Sequence, residues 1–336
     1  MNLLIRANIS SRTGTGHVMR CLALSEVFLK AGSSVHFLLT EKTPLDGRVI
    51  DTGCTVNHID DRDDAQQTIA LAKKIDASWI VVDGYTFDET FQNTLKEAGL
   101  NVLFIDDYGQ CDSYTADLIL NQNIYATEEF YTNRADYTQL LLGNTYTLLR
   151  QEFASRKPKR NIADTASKIL VTLGGGDPEN VTQKVLEALS TIANLDVQVV
   201  IGGANPNKDT LETYCKEHDM QMIVNTSNMR ELMEWADIAI AGGGSTCYEF
   251  AYMGLPALTI SLAENQNPVA EGLDQAGATV LLGWHENVTA ENITLKLTEL
   301  LPDHDARSKM SETGIHLVDG QGAERVRDAM LQSNDS

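Results

Sequence analysis

His17 is the side chain of this sequence best placed to do chemistry. It follows Gly14 and Gly16, and these glycines separate a short apolar run at residues 3–5 from a segment whose apolar residues recur at helical spacing. The pattern predicts a strand, a glycine turn and a helix, with the imidazole at the start of the helix. Ligands of open α/β sheets bind at this position, so His17 is a candidate general base. The alternative is a histidine that only hydrogen-bonds to its own loop.

Two further side chains are expected near His17. Arg20 lies one turn further along the same predicted helix, and we include it among the candidate ligands of the substrate. Tyr85 closes an Asp-Gly-Tyr segment after a predicted strand whose carboxyl end should lie at the same edge of the sheet. Its hydroxyl could donate to a substrate hydroxyl or orient a water molecule, although a packed tyrosine explains it equally well. Asp-Asp-Tyr at residues 106–108 repeats the pattern more weakly one strand later.

Two glycine clusters follow predicted strands in the second half of the chain, after residues 169–173 and 238–241. Each allows close approach of a ligand to the backbone and leads into a predicted helix with a partly positive N-terminus. One such cluster is often only a turn, but three at strand ends, counting the one before His17, favour a phosphorylated ligand. None has the phosphate-loop or dinucleotide-binding spacing, which disfavours an ATPase or a dinucleotide-binding protein. The candidate ligand-binding residues of these two clusters are Gly174, Gly175, Gly243, Gly244, Ser245 and Thr246.

Three polar residues are expected to complete this second site. Glu249 lies one turn into the helix that follows Ser245, on the same face, so its carboxylate could accept both hydroxyls of a ribose. A solvated helix glutamate is the alternative. Asn265 and Gln266 follow the next predicted strand, and their amides could hold sugar hydroxyls. From spacing alone, a polar turn in front of a helix explains this pair better.

The composition disfavours several classes of function. The chain has 336 residues and a formal net charge of −21, so nucleic acid is not an expected partner. No apolar run is long enough to span a bilayer, and the N-terminus does not resemble a secretion signal.

The five cysteines lie far apart, which favours reduced thiols in the cytoplasm. The seven histidines include no pair at the spacing of a helical metal site, so neither a metal nor a cofactor is expected. The oligomeric state is not indicated.

Strands alternate with amphipathic helices along the whole chain. This pattern predicts an α/β fold with two domains of similar size, each built on a parallel sheet covered on both faces, and a cleft between them. The predicted boundaries are 1–150 for the N-terminal domain, 151–167 for a polar linker, 168–321 for the C-terminal domain and 322–332 for a closing helix. The predicted strands cover residues 3–6, 35–39, 79–83, 102–106, 118–121 and 138–142, and then 169–173, 197–201, 222–224, 238–241, 257–260 and 279–282.

Together these motifs resemble the PseG family of UDP-2,4-diacetamido-2,4,6-trideoxy-β-L-altropyranose hydrolases, which act in pseudaminic acid biosynthesis. The resemblance covers nearly the whole chain and is carried most specifically by Gly-Thr-Gly-His-Val-Met-Arg at residues 14–20. The family is related to glycosyltransferases of the MurG type, which share the C-terminal glycine cluster and its glutamate, and to SpsG-like spore coat polysaccharide proteins. Further matching segments are Asp-Gly-Tyr at 83–85, Leu-Asn-Gln-Asn at 120–123, Leu-Leu-Arg-Gln-Glu-Phe at 148–153 and Gly-Gly-Ser-Thr…Glu at 243–249.

The resemblance implies a GT-B fold: two Rossmann-like domains whose parallel sheets face each other across a cleft. UDP is then held mainly by the C-terminal domain, and the last helix crosses back to the first domain. It implies that His17 is the general base for an attack of water on the anomeric carbon of a UDP-sugar, with inversion and without a metal. Tyr85 corresponds to a tyrosine near the active site and Glu249 to the ribose-binding glutamate. Asn265 and Gln266 correspond to an amide pair near the sugar and the phosphates.

Asn8 departs from the family pattern. The family commonly has Arg-x-Asp at the end of the first strand, where this chain has Arg6 and Asn8. An aspartate there could orient the histidine, whereas asparagine forms hydrogen bonds without a charge.

Two alternatives to the hydrolase stay open. One is a glycosyltransferase in which His17 deprotonates an acceptor hydroxyl, although no basic membrane-facing patch supports it. The other is a non-catalytic protein that binds a nucleotide sugar.

Overall fold

Two parallel sheets, one in each of two units of the chain, organise the residues that the structure describes. The computed structural model describes residues 1–8, 16–43, 45–60, 62–154, 158, 160–174, 176–203, 205–226 and 228–333. Met1–Ala154 and Gly320–Ser336 form the first unit, and Ser155–Asp319 form the second. Two predicted site residues, Gly14 and Gly175, lie outside the described residues, as do 155–157 and 159 of the predicted linker. No helix within the described ranges is long and apolar enough to cross a membrane.

A parallel sheet of seven strands forms the first unit. Its strands are β1 (Asn2–Ala7), β2 (Ser34–Leu39), β3 (Thr55–His58), β4 (Trp79–Asp83), β5 (Val102–Ile105), β6 (Leu118–Asn121) and β7 (Gln139–Leu142). Its helices are α1 (Gly16–Lys30), α2 (Leu45–Asp51), α3 (Asp64–Lys74), α4 (Glu89–Glu97) and α5 (Gln151–Ala154), with 3-10 turns at Glu128–Tyr131 and Asn144–Tyr146. The strand order is β3-β2-β1-β4-β5-β6-β7. The order reverses between β1 and β4, and such a switch point is where open α/β sheets bind ligands.

Helices cover both faces of this sheet. On β1, Leu3 and Ile5 pack into one apolar cluster with α1, whereas Leu4 packs into a second cluster with Ile80 of β4 and Leu95 of α4. All five side chains are fully buried. A strand that is buried on both faces needs a continuous apolar run, and each such side chain contributes about 1.5–3 kcal/mol by its burial.

A parallel sheet of six strands forms the second unit. Its strands are β8 (Lys168–Thr172), β9 (Asp196–Ile201), β10 (Gln221–Val224), β11 (Ile238–Gly242), β12 (Ala257–Ser261) and β13 (Val280–Trp284). Its helices are α6 (Val181–Ser190), α7 (Lys208–Glu217), α8 (Met229–Trp235), α9 (Thr246–Met253), α10 (Asn267–Gln275), α11 (Ala290–Leu300) and α12 (His304–Leu317), with a 3-10 turn at Glu264–Gln266. The order β10-β9-β8-β11-β12-β13 places a second switch point between β8 and β11.

The last helix, α13 (Gly322–Gln332), is part of the first unit. Its Val326 and Met330 are fully buried in the same apolar cluster as Phe28 of α1. The helix begins against the chain near Thr147, where a Cβ on Gly322 would collide with the carbonyl oxygen of Thr147. The C-terminal segment therefore completes the core on which α1 packs.

Candidate active site

His17 lies at the switch point of the first sheet. It is the second residue of α1, and its side chain is only 5% exposed. Its Nδ1 lies 2.6 Å from Oδ1 of Asp83, the last residue of β4, which is fully buried. β4 pairs directly with β1, the strand that precedes α1 along the chain. The sheet order therefore brings together a histidine and an aspartate that are 66 residues apart in the sequence.

Asp83 determines which nitrogen of His17 carries a proton. Burial by itself would raise the pKa of Asp83, but the charge of Arg20 and the hydrogen bonds from Arg20 and His17 outweigh it and hold this pKa well below its ordinary value. The carboxylate is therefore ionised and can only accept hydrogen bonds. The proton of the short contact then lies on Nδ1, and Nε2 is the nitrogen of His17 that can take up a proton.

Arg20 is the counterion of two buried carboxylates. Its Nε and Nη2 donate to the two oxygens of Asp83 at 2.7 and 2.6 Å, and its Nη1 donates to Asp107 at 2.6 Å. Burial tends to lower the pKa of Arg20, but Asp107 and Asp83 together raise it well above its ordinary value. We predicted Arg20 as a ligand of the substrate. Because all three guanidinium nitrogens donate to these two aspartates, it acts in this structure as an internal counterion.

Asp107 joins Tyr85 to the same network. The hydroxyl of Tyr85 donates to Oδ2 of Asp107 at 2.9 Å, and the amide of Asn123 donates to Oδ1 at 2.9 Å. The ring of Tyr85 contacts the ring of His17 edge-on, with a centroid distance of 4.7 Å. Burial opposes the charge of Asp107, but Arg20 keeps its pKa below the ordinary value. Two of the predicted site residues, His17 and Tyr85, thus lie side by side, held by a pair of ionised aspartates.

Asn8 does not supply the partner of His17. Its side chain donates to the hydroxyl of Thr86 at 2.6 Å, and its backbone N–H donates to the carbonyl of Asp83 at 2.8 Å. It packs so closely over Gly84 that a Cβ at that position would collide with its side chain. The carboxylate that orients His17 comes from β4, so the missing charge at position 8 does not leave the histidine without an acidic partner.

The predicted residues of the second unit gather at its own switch point. Gly243 and Gly244 follow β11, and a Cβ on Gly243 would meet the side chain of Ala270 at 2.9 Å. Gln266 lies beside both glycines and accepts a hydrogen bond from the backbone of Leu262 at 3.0 Å. The structure therefore places Gln266 next to the glycine turn, although about twenty residues separate them in the sequence.

The other predicted residues around that turn are exposed or half-buried. Ser245 is exposed at the N-cap of α9, and its side chain makes no capping hydrogen bond. Thr246 begins the helix, and the half-buried Glu249 lies one turn further along. Asn265 is exposed in the 3-10 turn that also contains Gln266.

The glycine cluster after β8 is followed by a helix whose N-terminus is capped by the chain itself. Gly174 has a φ of +88°, a conformation that favours glycine. The N-terminus of the helix that follows, α6, is occupied by the buried side chain of Asp177. Its carboxylate accepts from the backbone N–H groups of Val181 and Thr182 at 2.9 and 2.8 Å. The chain therefore supplies its own anion at the start of α6, and ligand binding by Gly174 and Gly175 stays a prediction.

Sequence reasoning did not assign roles to Asp83, Asp107 or Asn123. The detectable signal was an acidic residue at the end of each of two successive strands, opposite an arginine on the first helix. Only the order of the strands shows that the two carboxylates converge on that arginine. Among the residues that the structure describes, no group of three or more histidine, cysteine, aspartate or glutamate side chains could hold a metal ion.

The sequence is similar to proteins of nucleotide-sugar and polysaccharide metabolism. Residues 168–328 match the model of the glycosyltransferase family 28 C-terminal domain. The spore coat polysaccharide biosynthesis protein SpsG of Bacillus subtilis is 30% identical over 235 residues, which cover 69% of this chain and 68% of SpsG. The UDP-2,4-diacetamido-2,4,6-trideoxy-β-L-altropyranose hydrolase of Campylobacter jejuni is 24% identical over 83% of this chain and 98% of its own length.

The fold is shared with a solved structure of lower sequence identity. The crystal structure of MurG from Acinetobacter baumannii matches with a TM-score of 0.69 at 15% identity, covering 99% of this chain and 100% of MurG. With the parallel sheets of seven and six strands, this match confirms the predicted two-domain α/β fold of the GT-B type. The identity to SpsG over most of both chains shows that this protein belongs to the family of SpsG and the related PseG proteins.

Proposed function

We propose that this protein is a UDP-sugar hydrolase of polysaccharide biosynthesis. It would release UDP from a UDP-2,4-diacetamido-2,4,6-trideoxyhexose, as in pseudaminic acid biosynthesis. The observation that carries the proposal is the buried contact of 2.6 Å between His17 Nδ1 and Asp83 Oδ1 at a switch point of the fold. This contact leaves Nε2 to take a proton from water. The similarity to the UDP-2,4-diacetamido-2,4,6-trideoxy-β-L-altropyranose hydrolase of Campylobacter jejuni supports the choice of substrate.

The proposed reaction is a single displacement at the anomeric carbon. Nε2 of His17 takes a proton from water as the water oxygen forms a bond to that carbon. The bond between the carbon and the β-phosphate oxygen breaks, its electron pair goes to UDP, and the products are UDP and the free sugar. Attack opposite to the leaving group inverts the anomeric configuration. Asp83 stabilises the imidazolium that forms, because its carboxylate is ionised and bonded to Nδ1.

Incubation of the protein with UDP-2,4-diacetamido-2,4,6-trideoxy-β-L-altropyranose, without an acceptor, is expected to release UDP. In water labelled with ¹⁸O, the label should enter the sugar, because the proposed attack is on carbon. UDP release is followed by chromatography and the label by mass spectrometry. No release by the wild type would contradict the proposal, and label in UDP would contradict attack at the anomeric carbon.

We propose that the second unit binds the UDP moiety. The support is the glycine turn of Gly243 and Gly244 at the carboxyl end of β11, where a diphosphate can approach the backbone at the start of α9. Glu249, one turn into that helix, would accept the two ribose hydroxyls, and Gln266 lies beside the glycines. These residues fall within the matched glycosyltransferase domain.

The Glu249→Ala variant is expected to raise the Kd for UDP about tenfold to a hundredfold, because hydrogen bonds to a charged group are lost. Isothermal titration calorimetry of the full chain measures the change. Glu217→Ala is a matched control, since Glu217 is an exposed helix glutamate of the same unit, at the end of α7. An unchanged Kd in Glu249→Ala would remove this residue from the proposed ribose site.

A glycosyltransferase is the second candidate, and the match to the glycosyltransferase family 28 C-terminal domain favours it. In that case His17 would deprotonate an acceptor hydroxyl instead of water. The assay above separates the two activities. A hydrolase releases UDP at the same rate with and without an acceptor, whereas a transferase releases UDP rapidly only when an acceptor is added.

A further inference from the structure

The hydroxyl of Tyr85 donates a hydrogen bond to Asp107. The oxygen of the phenol lies 2.9 Å from Oδ2 of Asp107. This carboxylate also accepts hydrogen bonds from Arg20 and Asn123. A phenol has one O–H proton, and an ionised carboxylate can only accept. Tyr85 must therefore be the donor in this contact.

The surroundings keep Asp107 ionised. Burial opposes its charge, but the guanidinium of Arg20 is 2.6 Å from Oδ1 and lowers the pKa of Asp107. The side-chain amide of Asn123 donates to the same oxygen at 2.9 Å and is itself buried. With these donors in place, the direction of the hydrogen bond from Tyr85 cannot reverse without protonation of the aspartate. Because the hydroxyl of Tyr85 donates its only proton to Asp107, its oxygen can only accept hydrogen bonds from any other partner.

We propose that Asp107 is a positioning residue that makes Tyr85 a hydrogen-bond acceptor for the attacking water. This inference rests on the proposed hydrolysis. The rings of Tyr85 and His17 are in edge contact at 4.7 Å, so the two side chains lie side by side, and we place one water molecule against both. It would give one proton to Nε2 of His17 and direct the other at the oxygen of Tyr85. Its lone pair is then aimed at the anomeric carbon, as an effective nucleophile requires.

The direction of the hydrogen bond can be tested without turnover. The Raman doublet of a tyrosine ring reports whether its hydroxyl donates or accepts, and the difference spectrum between the wild type and Tyr85→Phe isolates Tyr85. We expect a donor signature in the wild type. In Asp107→Asn the amide can donate to the phenol, so the signature should move towards that of an acceptor. An acceptor signature in the wild type, or no change in Asp107→Asn, would overturn the proposal.

The kinetic test is a double-mutant cycle with the UDP-sugar. Tyr85→Phe and Asp107→Asn should each lower kcat about tenfold to a hundredfold, with little change in KM, because the water and not the substrate is misplaced. The double variant should be no slower than the slower single variant, since both changes remove the same interaction. Multiplicative losses would overturn the proposal, because they would mean that the two residues act independently.

Two controls separate this role from structural damage and from failure of the proposed function. Tyr137→Phe removes another tyrosine hydroxyl of the first unit and should leave kcat unchanged. Tyr137 has an exposed ring, and its hydroxyl donates to the carbonyl of Thr115 at 2.9 Å. Tyr85→Phe keeps the ring that contacts His17, so its loss of kcat should occur without a lower melting temperature. A wild type that releases no UDP would overturn the hydrolysis and with it the role of the water. The Raman signature would still decide whether Asp107 directs Tyr85.

Discussion

The His17→Ala variant is expected to lower kcat for UDP release about 10²- to 10⁴-fold, the range that a general base contributes. The buried imidazole is held by Asp83 at 2.6 Å, so no other described side chain of the network can replace its Nε2 without rearrangement. Steady-state kinetics with the UDP-sugar measure the loss. The Kd for UDP should stay within about twofold of the wild-type value, because we propose that the second unit binds the nucleotide.

His36→Ala is the matched control for this experiment. His36 is a half-buried histidine of β2 in the same unit and belongs to none of the contacts around His17. Its replacement should leave kcat close to that of the wild type. If His17→Ala retained full turnover, the base would have to be another group, and the proposed function would lose the observation that carries it.

The Arg20→Met variant is expected to lose about 3–5 kcal/mol of the free energy of unfolding at neutral pH, as for other buried ion pairs that lose one partner. Methionine preserves much of the apolar stem but leaves Asp83 and Asp107 buried without their common counterion. Urea unfolding of the full chain measures the loss. Hydrogen exchange of peptides from α1 and β4 should locate it in the first unit.

The difference in unfolding free energy between the wild type and Arg20→Met should become smaller as the pH falls. In the wild type, burial tends to raise the pKa of Asp83 and of Asp107, but Arg20 outweighs it and keeps both values below the ordinary ones. Without Arg20, burial and the mutual repulsion of the carboxylates raise both folded-state pKa values above those of the unfolded chain. The folded variant then binds more protons than the unfolded chain, so its stability increases as the pH falls through the raised values. An equal deficit at pH 5 and pH 7.5 would contradict this account.

Arg62→Met is the control for the loss of an arginine. Arg62 pairs with Asp60 on the surface, and its side chain is 87% exposed. Solvent screens such a pair, so the unfolding midpoint should hardly change. A loss as large as that of Arg20→Met would mean that removal of any arginine of this unit is destabilising.

The strands that contain a continuous run of buried apolar residues are the easiest to predict from the pattern alone. β5 is apolar and buried along its whole length, and β1 and β4 contain buried apolar runs at residues 3–5 and 79–82. The strand β3 was not predicted. Its four residues, Thr55–His58, are half-exposed at the edge of the sheet, and such a short polar strand has no apolar run to mark it. The helix α2 was missed for the same reason, since Val49 is its buried residue.

The sequence by itself determined the local setting of the candidate base and the class of fold. The spacing around His17 specifies a strand, a turn and a helix, because each of these depends on residues that are neighbours along the chain. Alternating strands and helices likewise determine a parallel sheet in each unit, since parallel strands need crossover connections. The resemblance to the PseG family came from the same local motifs.

Only the tertiary structure decided what His17 and Arg20 bind. Asp83 lies 66 residues from His17, and Asp107 lies 87 residues from Arg20. They converge because β4 pairs with β1 and β5 pairs with β4, and the carboxyl ends of parallel strands share one edge of the sheet. Local periodicity does not encode strand order, and the resemblance to the PseG family pointed to position 8 for an acidic partner, whereas the structure places that partner on β4. These distant contacts hold His17, near the start of α1, between Asp83 and Tyr85, an arrangement that the local motifs do not specify.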